Sequence, residues 1–345
     1  MKWMAVLLLF AASVFAQQTP SAVTTDPPQQ ADRKFAARMV ELHVPALDAS
    51  GKPTRELMNG IMYVAAGPRP HPTVILLHGF PGNEQNLDLA QSIRRAGWNV
   101  LYFHYRGAWG SQGDFSFPNA TQDVQSAINF VHDEENVKRY NIDTRFTVLV
   151  GHSMGGFMAA NAAANGPEFC CVSRPVAKGA LVGRNVMRPS IAGVVLMSPW
   201  DLGRAAGFLA DKPENKKYVA DATEEFRGYQ LALHGFTAEG GIAEIRAHEK
   251  QWQLTAMAPQ IVSRNIPVLL TYGEFEDARE EGFTLLRDAF QKAAKTAALA
   301  EDSTDISRRF TTVVLPTDHT YSDQRIALQS AIVNWLERFK PTTSK

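Results

Sequence analysis

Short runs of branched and aromatic apolar residues alternate along this chain with stretches whose apolar positions recur every three or four residues. The first pattern marks strands buried on both faces, and the second marks helices that turn one stripe toward them. Runs at Met39–Val44, Gly60–Ala65, Thr73–Leu77, Asn99–Tyr105, Phe146–Val150, Ile191–Met197, Val268–Tyr272 and Thr311–Leu315 predict strands. Within Thr121–His132, Val124, Ala127, Ile128 and Val131 fall at i, i+3, i+4 and i+7, and Leu328, Ile332, Trp335, Leu336 and Phe339 do the same near the end of the chain. This rhythm predicts an α/β fold over residues 35–345: a mostly parallel sheet of about eight strands with helices on both faces.

One interval breaks the rhythm. Residues 201–265 hold no convincing strand, several helical stretches such as Ala220–Leu233, and the aromatics Phe208, Tyr218, Phe226, Tyr229, Phe236 and Trp252. An insertion between two strands of such a sheet is expected to form a helical cap over its carboxyl edge, where α/β sites sit. A peripheral helical decoration is the other reading.

Composition narrows the function classes. The 345 residues carry 35 Lys+Arg against 35 Asp+Glu, with no basic run longer than a pair, so a nucleic-acid partner has no electrostatic footprint. Hydrophobic residues make up 45% of the chain, enough for a large core. Residues 1–16 combine Lys2, an apolar run from Trp3 to Phe10 and the small pair Val14 and Ala16, which predicts a cleavable signal peptide and a secreted or periplasmic protein. That apolar run is shorter than the ~20 residues a bilayer needs, so no stable membrane anchor is expected after cleavage. Residues 17–34, rich in Gln, Thr and Pro, read as a flexible linker. The two cysteines, Cys170 and Cys171, are adjacent, which disfavours an ordinary disulfide between them, and no Cys/His cluster has metal-ligand spacing.

The strongest chemical signal is Gly151-His152-Ser153-Met154-Gly155-Gly156, set between the apolar strand Phe146–Val150 and the Ala-rich helical stretch Phe157–Ala164. Gly-x-Ser-x-Gly acquires meaning from that strand-turn-helix context. Glycines at 151 and 155 leave room for a sharp turn that lifts the Ser153 hydroxyl to a helix start, where backbone N–H groups favour developing negative charge. A second loop, His78-Gly79-Phe80-Pro81-Gly82, follows the strand Thr73–Leu77, and a third, Arg106-Gly107-Ala108-Trp109-Gly110-Ser111, follows the next.

With these motifs the chain resembles the α/β-hydrolase superfamily. The His78–Gly82 segment resembles its HGxPG loop, and Arg106–Ser111 resembles the RGxGxS loop of dienelactone-hydrolase-like and prolyl-oligopeptidase-like members or serves as a structural turn. The resemblance implies Ser153 as nucleophile and the N–H groups of Phe80 and Met154 as oxyanion hole, each donor worth roughly 3 kcal/mol of barrier. It also implies the chain order Ser, carboxylate, His. Among the nine histidines His319, in Thr317-Asp318-His319-Thr320-Tyr321 after the last strand, fits the base. The carboxylate belongs in Gly273-Glu274-Phe275-Glu276-Asp277. The family register points to Glu276, while the commoner side chain, one residue later, favours Asp277; Glu274 and Asp318 are remoter choices.

The resulting expectation is a serine hydrolase that forms an acyl-enzyme on Ser153 and acts on a small-molecule ester, with no cofactor and no metal. A small-peptide amidase or thioesterase would use the same triad. A non-catalytic binding protein on the same scaffold is the rival from another class, because fold alone never guarantees activity.

Overall fold

The computed structural model describes residues 18–27, 33–48, 50–166, 191–276, 280–301 and 303–339. The expected leader at 1–16, both cysteines, Asp277 and part of the linker lie outside the described residues. Among the described residues eight strands form one sheet: β1 (Arg38–Leu47), β2 (Pro53–Val64), β3 (His71–Leu77), β4 (Asn99–Phe103), β5 (Ile142–His152), β6 (Gly193–Met197), β7 (Val268–Gly273) and β8 (Phe310–Leu315). Their order is β1-β2-β4-β3-β5-β6-β7-β8. β2 runs antiparallel to both β1 and β4, and the pairings from β4 through β8 are parallel. This is the α/β-hydrolase fold.

Strand β2 begins well before its expected start at Gly60. Its first half, Pro53-Thr54-Arg55-Glu56-Leu57-Met58-Asn59, lies in the sheet-edge hairpin with polar residues facing water, so it lacks the apolar run of a doubly covered strand.

Helices α1 (Ser21–Thr24), α2 (Leu87–Arg95), α3 (Phe117–His132), α4 (Glu134–Tyr140), α5 (Met154–Asn165), α6 (Leu202–Leu209), α7 (Lys216–Tyr229), α8 (Ala238–Ala247), α9 (Leu254–Ser263), α10 (Glu280–Leu299) and α11 (Arg325–Leu336) complete the frame. The period-two alternation of each strand sorts them into layers. Val74, Leu76, Val148, Val150, Val195, Met197 and Leu269 pack in one core with apolar residues of α2 and α11. Ile75, Leu77, Leu149, Val194, Leu196, Val268 and Leu270 pack in the other, with α3, α5, α9 and α10.

Residues 201–265 are helical, as expected, and supply α6 to α9. Phe226, Phe236, Ile245 and Trp252 are buried in the same continuous core as the sheet residues Ile75 and Leu196. The segment is thus packed into the body of the fold, and its aromatics contribute to that body's stability.

The loop after β4 is anchored by a buried ion pair. Arg106 Nε lies 2.6 Å from Asp123 Oδ1 on α3, and Arg106 N–H donates to Asp123 Oδ2 at 2.8 Å. Asp123 is fully buried. Removing one member of such a pair strands the other charge in the core. Asp123→Ala is therefore expected to lower stability by about 3 kcal/mol, read as a reduced urea midpoint with an unchanged slope.

Candidate active site

The sheet brings the candidate residues together at the carboxyl ends of β3 to β8. β5 ends at His152, α5 begins at Met154, and Ser153 alone makes the turn, at φ 54° and ψ −118°. A non-glycine residue at positive φ costs on the order of 1–3 kcal/mol and persists only where its surroundings hold it. Here Ser153 N–H donates to the Met197 carbonyl at 2.9 Å, and the Ser153 carbonyl accepts from Trp200 N–H at 2.9 Å and Gly156 N–H at 3.0 Å. The turn is too crowded for side chains on either side. A Cβ at Gly151 would lie 2.0 Å from the Gly155 carbonyl oxygen, and one at Gly155 would lie 2.2 Å from that of Leu77.

The His78–Gly82 loop rests directly on this turn, since a Cβ on Gly79 would sit 3.1 Å from the Cβ of Ser153. His78 is buried and donates Nδ1–H to the Gly79 carbonyl at 2.7 Å. Burial, reinforced by nearby His104, pushes its pKa down to about 3, so it is a neutral structural histidine. The Arg106–Ser111 loop braces the same segment from the other side: Trp109 Nε1–H donates to the Pro81 carbonyl at 2.8 Å. Met154 opens α5, so its N–H is among those a helix leaves without an intrahelical acceptor. Phe80 sits in a ring of aromatics, with centroids of Phe115, Phe117, Phe226, Tyr229 and Phe236 at 5.2–5.6 Å. Three of the five, Phe226, Tyr229 and Phe236, come from the 201–265 segment.

His319 lies in the loop after β8. Asp318 shapes that loop by accepting from the N–H groups of Thr320 and Ser322, both at 3.0 Å, and from the Ser322 hydroxyl at 2.7 Å. Those bonds, the Ser322 amide first, hold its carboxyl down to about 2. Asp318 is thus a loop-former. The loop lands on the turn at Ser153: His152 Nε2–H donates to the His319 carbonyl at 2.8 Å, and the two imidazole rings stand 4.9 Å apart. Burial pushes His152 down to about 3, so it too stays neutral.

The carboxylate facing His319 is Glu276. Its Oε2 is 2.7 Å from His319 Nδ1, and its side chain is almost wholly buried. Asp277, the other carboxylate expected here, lies outside the described residues. Burial alone would raise the Glu276 carboxyl, but His319, the Ser198 hydroxyl and Gly273 N–H together hold it below its ordinary value of 4.5. Glu274 is exposed.

Ser198, Thr271 and Tyr321 carry no motif that marks them in the sequence. Ser198 Oγ–H donates to Glu276 Oε1, which also accepts from Gly273 N–H at 2.9 Å. Tyr321 Oη lies 2.8 Å from Ser198 Oγ and 2.9 Å from Thr271 Oγ1, and all three residues are buried. The available signal was positional, because Ser198 directly follows β6 and Tyr321 is two residues beyond His319.

Among the described residues no cluster of three metal-binding side chains occurs. Residues 72–234 match the alpha/beta hydrolase fold family. A comparison with curated proteins finds no match. Among solved structures, Est1E from Butyrivibrio proteoclasticus with ferulic acid bound is similar at a TM-score of 0.52 and 15% identity, over 86% of this chain and 98% of that one. An esterase of Pyrococcus furiosus is similar at 0.53 and 16%, over 91% and 97%. Dipeptidyl peptidase 4 of Porphyromonas gingivalis is similar at 0.53 and 13%, over 88% of this chain and 35% of that one. At such identities the likeness is one of fold.

The depressed Glu276 carboxyl makes a stability prediction. A group whose pKa is lower folded than unfolded stabilises the fold above its unfolded value and loses that contribution as pH falls through the folded one. Stability is therefore expected to decline on acidification below about pH 4.5 more steeply in the native protein than in Glu276→Gln. Urea unfolding at a series of acidic pH values measures the difference in slope.

Proposed function

We propose, from the premise that this chain is an α/β-hydrolase, that it is a serine hydrolase cleaving carboxylic esters through an acyl-enzyme on Ser153. The observation that carries the reading is the buried Glu276 held 2.7 Å from His319 Nδ1, in a loop tied to the turn at Ser153. In this reading Glu276 fixes the tautomer with the proton on Nδ1, so that the unprotonated Nε2 serves as the base. Nε2 takes the Ser153 proton as Oγ attacks the ester carbonyl, and the N–H groups of Phe80 and Met154 receive the oxyanion. The imidazolium returns its proton to the departing alkoxide, which leaves as the alcohol. Water then repeats the sequence and releases the acid.

Esters come first because two of the similar structures carry esterase in their names or bind a phenolic acid, while a peptidase among them keeps an amide substrate as the second reading. We further infer that the 201–265 segment caps the site and helps set which substrates enter, supported by its aromatics around Phe80. Export through residues 1–16 belongs to the same proposal.

A fluorophosphonate probe is expected to label the native protein and not Ser153→Ala. Hydrolysis of p-nitrophenyl esters should fall at least 10³-fold in Ser153→Ala and His319→Ala, and by about 10⁴ in Glu276→Gln. The Ser153→Ala/His319→Ala double variant should lose little more than either single one, because the residues act as a unit. Labelling of Ser153→Ala would overturn the nucleophile assignment. Aminoacyl anilides tested beside the esters decide between the two substrate classes.

A further inference from the structure

The Glu276 carboxylate accepts hydrogen bonds and donates none, and this fixes the direction of every proton behind it. Ser198 Oγ spends its only proton on Glu276 Oε1. The 2.8 Å contact between Ser198 Oγ and Tyr321 Oη must then carry the tyrosine proton toward the serine. Tyr321 Oη, its own proton committed, accepts at 2.9 Å from Thr271 Oγ1. A one-way chain of hydroxyls thus runs from Thr271 on β7, through Tyr321 in the His319 loop, to Ser198 after β6, and ends on Glu276. Such chains polarise each successive bond.

The chain also meets a geometric need. A glutamate reaches one methylene farther than the aspartate it replaces, and an unrestrained Glu276 has extra rotamers in which Oε2 misses the imidazole. Ser198 and Gly273 N–H hold Oε1 back, which leaves Oε2 aimed at His319 Nδ1. Both Ser198 (φ 42°) and Tyr321 (φ 58°) occupy backbone conformations unusual for non-glycine residues, as expected where function sustains local strain.

We propose that Ser198 and Tyr321 are positioning residues that act on His319 through Glu276, so that the working unit extends beyond Ser153, His319 and Glu276 to this hydroxyl chain. The inference rests on the serine-hydrolase reading above. Several groups face the pair. His152 is held neutral by burial, Asp318 is tied up by its own loop, Arg325 is paired with Asp88, and Tyr272 donates Oη–H to the Glu276 carbonyl at 3.3 Å.

The experiment compares Ser198→Ala, Ser198→Gly and Tyr321→Phe with the native protein on a p-nitrophenyl ester, with pH profiles and fluorophosphonate labelling rates. Ser198→Gly accommodates the positive φ, and Tyr321→Phe keeps the buried ring while deleting only the hydroxyl, so a folded variant without part of the chain is available in either case. A displaced catalytic group costs up to about 10²-fold, so kcat is expected to fall about 10- to 100-fold in the Ser198 variants, with KM within about twofold of native. Loss of a donor leaves Glu276 a stronger acceptor, so the acid limb should move to higher pH; Tyr321→Phe should move kcat and the limb the same way by less. Ser198→Ala in a Glu276→Gln background should add no further loss. Native kcat, labelling rate and acid limb in folded Ser198 variants would overturn the proposal, as would a full additional loss in the double variant. If Ser153→Ala still labels, the serine-hydrolase reading has failed; if it does not, while Ser198 and Tyr321 variants label at the native rate, only the positioning role has.

Discussion

A strand that becomes a helix within one residue leaves no volume for side chains at its corner, and the site is built around that constraint. At Gly155 the chain passes so near the Leu77 carbonyl that a single added carbon would overlap it, and at Gly151 it passes equally near Gly155. With no Cβ at either glycine, the end of β3 and the start of α5 can lie against one another. Gly79 can therefore rest on Ser153, and the N–H groups of Phe80 and Met154 come from two chain segments in direct contact.

Buried neutral histidines are the second theme. His78 and His152 each flank a loop that carries candidate chemistry, and each donates to a backbone carbonyl while burial keeps it uncharged. A cation at His152 would compete for the Glu276 carboxylate and alter the charge beside Ser153. Two nonpolar residues would fill the space but tie down no carbonyl. Neutral imidazole supplies a directed hydrogen bond without a charge, and this allows Glu276 to act on His319 undisturbed.

The layout was legible where information is local. The turn around Ser153, the loop at His78 and the position of His319 each follow a strand and carry their own short pattern. The choice between Glu276 and Asp277 was not, because it depends on where Ser198 and Gly273 N–H hold a carboxylate oxygen, and Ser198 is 78 residues away in sequence. The first half of β2 was hidden for a different reason: its polar alternation reflects water on one side of an edge hairpin. The Arg106 loop could be read as an RGxGxS-type loop or as a structural turn, and in the structure its arginine pairs with Asp123 and its tryptophan holds the Pro81 carbonyl. Chemistry that converges from several strands leaves little trace in any one of them.

The hydrogen bond from His152 to the His319 carbonyl joins residues 167 positions apart. During synthesis at about 5–20 residues per second, the turn at Ser153 emerges roughly 8–33 s before the loop that carries His319. For that interval the growing chain holds Ser153 without His319, and β6, β7 and β8 still have to join the sheet beyond β5. On the proposed reading, reactivity therefore arrives together with the final pairing of the sheet. A chain stalled or cut before β8 would lack His319 as well as that last pairing, so activity would report completion of the sheet.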